Sequence, residues 1–568
     1  MFIQHSGISN KSQYIDFSNR NYRILFYSSL FIVNLLQAWQ TELFDDEAYY
    51  WVCSTFLDWG YFDHPPMVAL LIRLGAYIFP SEFGVRFFSV ILSTLSIYLM
   101  EKLIKPQNKT LFYAIVLNIL MLQLGGILAT PDIPLFFFTV LFFIAYRKFI
   151  SDSGIIQIIS LSLVIALLIY SKYHGVLIVF FTVISNTKLF TKPGFYAVAL
   201  FSLILLTPHF IWQIQNGYPS IQYQLFERVS PPFRLSFISD FVMGQLLLAG
   251  PLVGWLLIWA AFKYKTHTTL EKAMLYTVIG FYVLFFISSF FTRTELNWTI
   301  PIIVPLIYLS YGYLKNDQQR STWLYRSLPF SLIIMIGIRI FMAIDVSLLK
   351  FIPKDEFHQN KTWAAEIKKQ AGGLPVVFTN SYQRASKYWF YSGDTSFSLN
   401  TYRYRRSGYN FWPLEKQLQQ KTIMLVGSEH ADHMPEYIKT PRGNHAFIKI
   451  DSFQSYSQIN INSLSPLNVK NDLVNYHLRI SYPNSEGEWS YSKNTKIIMV
   501  IYPTDKSRPI LVNTDLFIDG KHQEFKGVLR LPQLDHSKYI VRWGITNSFG
   551  EPTINSRAYK LINLKISR

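Results

Sequence analysis

Asp45-Asp46-Glu47-Ala48-Tyr49-Tyr50-Trp51 follows almost directly on the apolar run 23–41, and Gly60-Tyr61-Phe62-Asp63-His64-Pro65-Pro66-Met67 comes a short way on. The run is long enough to cross a hydrocarbon core, so these acids stand at the edge of a bilayer. A carboxylate there is either solvated at the headgroup level or held in a water-filled cleft, and ionisable groups near membrane depth are functional-site candidates by default. Two such clusters, joined by an amphipathic stretch and closed by Pro-Pro, read as a catalytic loop on a polytopic α-helical membrane protein.

The composition agrees. Half of the residues are apolar and 17% are aromatic, while only 15% are charged, against about 25% in soluble proteins. The apolar runs stop near residue 348 of 568, so at least two regions are expected. A net charge of +18 could suggest nucleic acid, but the 53 Lys and Arg are spread through loops rather than packed in one stripe. That pattern favours an anionic lipid surface and sets nucleic acid aside as a partner. The single cysteine, Cys53, excludes an intrachain disulfide and a cysteine-rich zinc site. The first apolar run has no small-residue cleavage site behind it and reads as an uncleaved anchor.

Segments of membrane-crossing length lie near 23–41, 84–101, 110–128, 131–147, 154–171, 174–190, 194–212, 241–261, 273–291, 298–314 and 328–347, about eleven spans. With the N-terminus cytoplasmic, the inner segments carry Lys11, Arg20 and Arg23, then Lys102 and Lys105, Arg147 and Lys148, Lys188 and Lys192, Lys263 and Lys272, and Lys315 and Arg320. Every inner loop then obeys the positive-inside rule. The acidic loop, Thr130-Pro131-Asp132, Ser171-Lys172-Tyr173-His174, the segment 213–240, Thr292 to Trp298 and the whole tail fall outside. Few basic residues share that face, chiefly Arg73, Arg86, Lys172, Arg228, Arg234 and Arg293. Cations so placed suit an anionic substrate such as a phosphate.

Three regions are expected: a multi-span domain over 1–350, a periplasmic α/β unit over 351–452 and a β-sandwich-like periplasmic module over 453–568. The α/β unit rests on a helical pattern at 362–371 and buried strands at 375–378 and 422–426. The β-module rests on alternating runs at 476–481, 496–502 and 539–545, broken by Asn, Gly, Pro and Asp turns.

Outside a membrane there is no supply of nucleotide donors, so the natural activated substrate is a lipid carrying a phosphate ester. Transfer from it to a hydroxyl requires a carboxylate to accept a proton and cations to hold the leaving phosphate. Asp46 or Asp63 fits the base, with Glu47 beside them, and His64, Lys172 and Arg293 fit the phosphate contacts. No cofactor is required by this chemistry. A divalent metal held by Asp63 and His64 stays open, although two ligands fall short of an ordinary site. Several residues also have plainer readings: Asp45 and Asp132 as helix caps, Lys172 and His174 as snorkelling side chains, Trp212 and Trp298 as interfacial belt.

At Asp46-Glu47-Ala48-Tyr49-Tyr50-Trp51, Gly60-Tyr61-Phe62-Asp63-His64-Pro65-Pro66, Gly84-Val85-Arg86, Thr130-Pro131-Asp132, Ser171-Lys172-Tyr173 and Trp212-Gln213-Ile214-Gln215-Asn216-Gly217-Tyr218-Pro219 the chain resembles the bacterial GT-C-type glycosyltransferases. These are relatives of the lipid A aminoarabinose transferase and the dolichyl-phosphate-mannose protein mannosyltransferases. Asn380-Ser381-Tyr382-Gln383 and Tyr404-Arg405-Arg406-Ser407 with Trp412 resemble the outer domain of the same bacterial subgroup. The resemblance implies an inverting enzyme of the bacterial inner membrane. It would move a sugar from a polyprenyl-phosphate donor to a lipid, glycan or protein acceptor at the periplasmic face. It implies Asp46 and Asp63 as the acids, with Tyr49, Arg86, Asp132, Lys172, Tyr173 and Asn216 among the substrate contacts. Where aminoarabinose transferases carry Glu-Lys before the two prolines, this chain has Asp63-His64, and histidine is only partly protonated near neutrality.

Two rival functions are a lipid-linked sugar transporter or flippase and a glycan-binding assembly protein. Transport predicts ionisable residues inside the spans and related halves, whereas the charges here collect at loop edges. An inert anchor would have no use for two acidic clusters.

Overall fold

The computed structural model describes residues 19–224, 233–345, 355–428, 434–482, 491, 495–503, 508–534 and 539–562. Lys11 and Arg228, counted above among the basic residues, lie outside them. The chain opens on α1 (Arg20–Gln40), capped by the Asn19 side chain. Then come α2 (Asp45–Thr55), α3 (Met67–Ile78), α4 (Glu82–Ile104), α5 (Lys109–Asn118), α6 (Leu120–Leu124), α7 (Asp132–Ser151), α8 (Ile155–Ser171), α9 (Gly175–Ser185) and α10 (Pro193–Gln215). The short α11 (Pro219–Gln222) precedes α12 (Leu235–Ala249), α13 (Gly254–Lys263), α14 (Thr269–Ser289), α15 (Ile303–Leu314) and α16 (Gln318–Ala343).

Five of these, α4, α7, α10, α14 and α16, are long and apolar enough to cross a membrane, or up to seven with two bent pairs, by length and composition. That is fewer than the expected eleven: α8 and α9 are shorter apolar helices, α15 has only 12 residues, α1 is not among the five, and two expected spans are broken. The 110–128 segment bends by 79° between α5 and α6, where the Asn118 side chain donates to the carbonyls of Ala114 and Leu324. The 241–261 segment bends by 87° between α12 and α13. Gly250 stands there at φ +135° with Pro251 behind it, and proline can neither donate to the helix ladder nor clear the preceding turn. Helix α16 starts earlier than expected, since Asp317 caps it by accepting from the Arg320 amide.

The tail begins with α17 (Asn360–Ala371), followed by a sheet of β1 (Val376–Thr379), β2 (Ser396–Leu399), β3 (Ile423–Val426), β4 (Glu436–Thr440) and β5 (Gly443–Ile450) in the order β2-β1-β3-β5-β4. Strand β1 runs parallel to β2 and β3. The crossover from β1 to β2 is α18 (Tyr382–Ser392). After α19 (Leu414–Leu418) come β6 (Asn460–Ser463), β7 (Leu467–Lys470), β8 (Leu473–Ser481), β9 (Lys496–Pro503), β10 (Ile510–Phe517), β11 (Glu524–Arg530), β12 (Tyr539–Ile545) and β13 (Tyr559–Ile562). These eight pair in one continuous order, β10-β9-β12-β13-β7-β8-β11 with β6 on β8, rather than as two separate sheets. The sheet nonetheless folds over its own core. Tyr476 on β8 meets Trp543 on β12 at 5.9 Å between ring centroids, although two strands lie between them and flat neighbours stand about 4.8 Å apart.

One core crosses the expected boundary near residue 350. Leu43, Tyr49, Val52 and Cys53 pack in the same buried cluster as Trp363, Phe378, Tyr388 and Leu425. Helix α2 is therefore a structural member of the tail as much as of the helical region.

Candidate functional site

The first turn of α2 carries Asp45, Asp46 and Glu47, where the free amides of a helix N-terminus favour negative charge. The three acids point to different fates. Asp45 opens the helix, with Phe44 at the N-cap, so the expectation that it caps is not met. It pairs instead with the buried Lys387 at 2.8 Å.

Glu47 is sealed. Its carboxylate pairs with Arg86, and neither side chain has any exposure. The Ala129 amide donates to Glu47 at 2.8 Å and the Phe44 amide at 3.3 Å. Arg86 in turn donates to the carbonyls of Ala38, Thr41 and Glu42 besides both oxygens of Glu47. A guanidinium has five N–H groups and all are taken. Glu47, expected as a catalytic acid, and Arg86, expected as a substrate contact, are both turned inward and hold each other away from solvent. The pair instead ties α2 to α4 and to the turn before α7.

Asp46 is the open one. Among the described residues no hydrogen bond or ion pair holds its side chain, and it remains partly exposed. Loss of solvent pushes its carboxyl up to about 7, with Asp63, Asp45 and Glu356 adding to the shift and Arg405 opposing it.

Asp63 lies in the turn closed by the Tyr61 amide on the His64 carbonyl, 3.0 Å. It is buried, and the Arg405 guanidinium reaches its carboxylate at 3.3 and 3.4 Å. The Tyr49 hydroxyl sits 3.5 Å from the other oxygen and accepts from the Gly408 amide at 2.9 Å. A Cβ at Gly408 would come within 2.6 Å of the Trp412 ring and 3.0 Å of that hydroxyl, so the close approach needs glycine. Arg405 lies over the rings of Tyr223 and Tyr382, whose centroids are 5.1 and 4.7 Å from its guanidinium carbon. Arg405 is the member of the candidate site that reading the sequence passed over. Its signal was the Tyr404-Arg405-Arg406-Ser407 stretch in a tail assigned to the same face.

His64 holds its Nε2 3.1 Å from the Tyr50 hydroxyl. Burial lowers its pKa, partly offset by Asp63 and Asp132 and reinforced by Lys172 and Arg405. Those same groups mark the cluster's extent. Lys172 meets Asp132 at 2.7 Å, both nearly buried, and the Asn297 amide donates to the second Asp132 oxygen at 3.1 Å. Asp132 is the first residue of α7 rather than its cap. Tyr173 accepts from Gln213 at 3.1 Å. Gln213 also donates to Ser220, which donates to the Tyr61 carbonyl. The loops after α2, before α7, after α8, after α10 and before α15 thus converge with the tail. Two expected contacts stand at the margin. Arg293 is exposed and has no ion pair among the described residues, and Asn216 is exposed with its amide turned back to the Trp212 carbonyl. Among the described residues no three His, Cys, Asp or Glu side chains gather as metal ligands.

Residues 63–212 match the family described as dolichyl-phosphate-mannose-protein mannosyltransferase. The lipid A galacturonosyltransferase RgtD of Rhizobium johnstonii is 21% identical over 291 residues, 49% of this chain and 61% of that protein. The chain therefore spans about three-fifths of the length of this curated relative. The crystal structure of ArnT from Cupriavidus metallidurans bound to undecaprenyl phosphate shares the fold, with a TM-score of 0.54 at 12% identity, covering 76% of this chain and 98% of that one. With the helical architecture and the β-rich C-terminal region, these matches show a chain with several membrane-length apolar helices that is similar to GT-C glycosyltransferases and shares the fold of ArnT.

Proposed function

We propose that this chain transfers a sugar, with inversion, from a polyprenyl-phosphate donor to a hydroxyl of a lipid, glycan or protein acceptor at the periplasmic face of the inner membrane. The acceptor oxygen attacks the anomeric carbon, the bond from that carbon to the phosphate oxygen breaks, and polyprenyl phosphate leaves with the electron pair. The hydroxyl proton passes to Asp46. A carboxyl near neutrality is matched to that task, since a base works best with a pKa close to the working pH. Asp63 acts through Arg405, aiming a rigid fork at the departing phosphate, a geometry guanidinium groups favour. Lys172 completes the basic side, His64 stands beside it as a neutral hydrogen-bonding group, and Arg293 at the rim meets the donor on entry.

The observation that carries this reading is the open Asp46, its carboxyl pushed up to about 7, beside the Asp63 and Arg405 pair. RgtD is a lipid A galacturonosyltransferase and the ArnT structure holds undecaprenyl phosphate, which supports a lipid-phosphate donor here. The test is transfer by the purified protein from a panel of radiolabelled polyprenyl-phosphate sugars, with Asp46→Asn and Asp63→Asn in parallel. Transfer by the parent and its loss in both variants is expected. Undiminished turnover in both would remove the catalytic assignment, and passage of intact sugar-lipid across liposomes without transfer would favour a flippase.

A further inference from the structure

A second cleft of about 500 Å³ opens where the end of α10, the 406–411 turn and the edge of β6 and β8 meet. Its described lining is mostly amide, hydroxyl and guanidinium, with Ile214 and Ile461 as aliphatic members. Asn216, Gln222, Asn410 and Asn462 face it with Arg406 and Arg557, and no carboxylate is among the described lining residues. One apolar ring, Phe411, joins them. Asn410 is 5% exposed, and its Oδ1 accepts from the Ser407 amide and the Asn400 side chain. Those two bonds set the amide's orientation, and its Nδ2 donor is left without a partner among the described residues. An orphaned buried donor on a cleft wall is costly unless something outside the chain accepts from it.

The wall between this cleft and the carboxylate site is thin. Phe411 packs on Phe62, the neighbour of Asp63, at 5.8 Å between centroids. Consecutive arginines serve the two sides: Arg405 meets Asp63, and Arg406 lines the cleft with its guanidinium over Phe411. The far wall belongs to the β-module, anchored to the α/β unit where buried Glu415 accepts from Ser455 and Ser457.

We infer that this cleft binds an acidic glycan segment of the acceptor, beside the carboxylate site. Amides and hydroxyls suit sugar hydroxyls, Phe411 offers a ring for a sugar face, and the two arginines suit uronate carboxylates, which guanidinium groups bind through paired hydrogen bonds. The acceptor role rests on the transfer reading above, whereas the binding does not.

The test measures binding of a short fluorescent oligouronate to the full-length protein in detergent, with no donor present. The same oligomer with its carboxyls reduced to alcohols serves as the neutral control. Saturable binding that falls about tenfold for the neutral oligomer, and about tenfold for Arg557→Gln and for Arg406→Gln, is expected from loss of a charge-assisted contact. Asn462→Asp, which adds a repelling charge at an exposed position, is expected to weaken binding as well and guards against misfolding of the arginine variants. Equal binding of acidic and neutral oligomers would overturn the inference, as would unchanged binding by all three variants. Displacement by inorganic phosphate at the same concentration as by oligouronate would overturn it too, leaving a simple anion site. Oligouronate that binds to protein unable to transfer any sugar would count against the transfer reading alone.

Discussion

The Arg405 guanidinium approaches the Asp63 carboxylate to 3.3 Å across a separation of 342 residues and lies over the rings of Tyr223 and Tyr382. Shortening the side chain to Arg405→Lys keeps the charge but loses the fork and the stacking. We expect transfer to drop about tenfold in the lysine variant and about a hundredfold or more in Arg405→Ala, as for loss of a group stabilising transition-state charge. Initial rates on protein of unchanged melting temperature check this.

Asp46 sets a pH dependence. As the base it must be ionised, so the transfer rate is expected to rise with pH up to about 7 and then level off, and Asp46→Asn should abolish that limb. Stability runs the other way. The folded carboxyl titrates near 7 against 3.8 for the free side chain, so between these values the folded chain holds a proton the unfolded chain has released. Its contribution to stability is present below that window and is lost as pH rises through it. Melting temperature against pH for parent and Asp46→Asn reads the difference.

Breaking the Glu47 and Arg86 pair from one side leaves an uncompensated charge with no solvent contact. Arg86→Met or Glu47→Gln is expected to cost about 3–5 kcal/mol, and the double variant less than the sum of the two. Thermal unfolding in detergent measures all three. Variants that melt like the parent but lose turnover would restore a direct catalytic role to Glu47.

Gly408→Ala places a methyl against Trp412 and the Tyr49 hydroxyl. Overpacking of this kind costs about 1–3 kcal/mol, and the displaced Tyr49 would leave Asp63. We expect a lower melting temperature together with reduced turnover, whereas a loss of turnover that Tyr49→Phe fails to reproduce would point elsewhere.

The parts of the site legible in the sequence were those carried by local pattern. Asp46 and Asp63 stood out because acids beside an apolar run have few other uses, and the tail's helix at 362–371 and strands near 376 and 423 follow from periodicity. What stayed hidden depends on long-range pairing. Glu47 and Arg86 look like loop charges until their partners are counted, and every donor of Arg86 is found inside the protein. Arg405 carries no local mark separating it from Arg406, since the two part ways only when the tail folds against α2. The bends at Asn118 and Gly250 sit within apolar runs whose mean hydropathy hides a break.

The packing of α2 into the tail's core has a consequence for assembly. The Leu43 amide waits for the hydroxyl of Tyr391, made 348 residues later, and Tyr49 waits for Gly408. During synthesis the acid-bearing helix exists for most of the chain's length without the surface that buries it. Contacts of such long sequence separation form late and leave apolar surface open in the interval. A chain cut between the helical region and the tail is expected to be an aggregation-prone fragment, since the cluster that buries α2 is complete only once residues up to Phe453 have been made and docked.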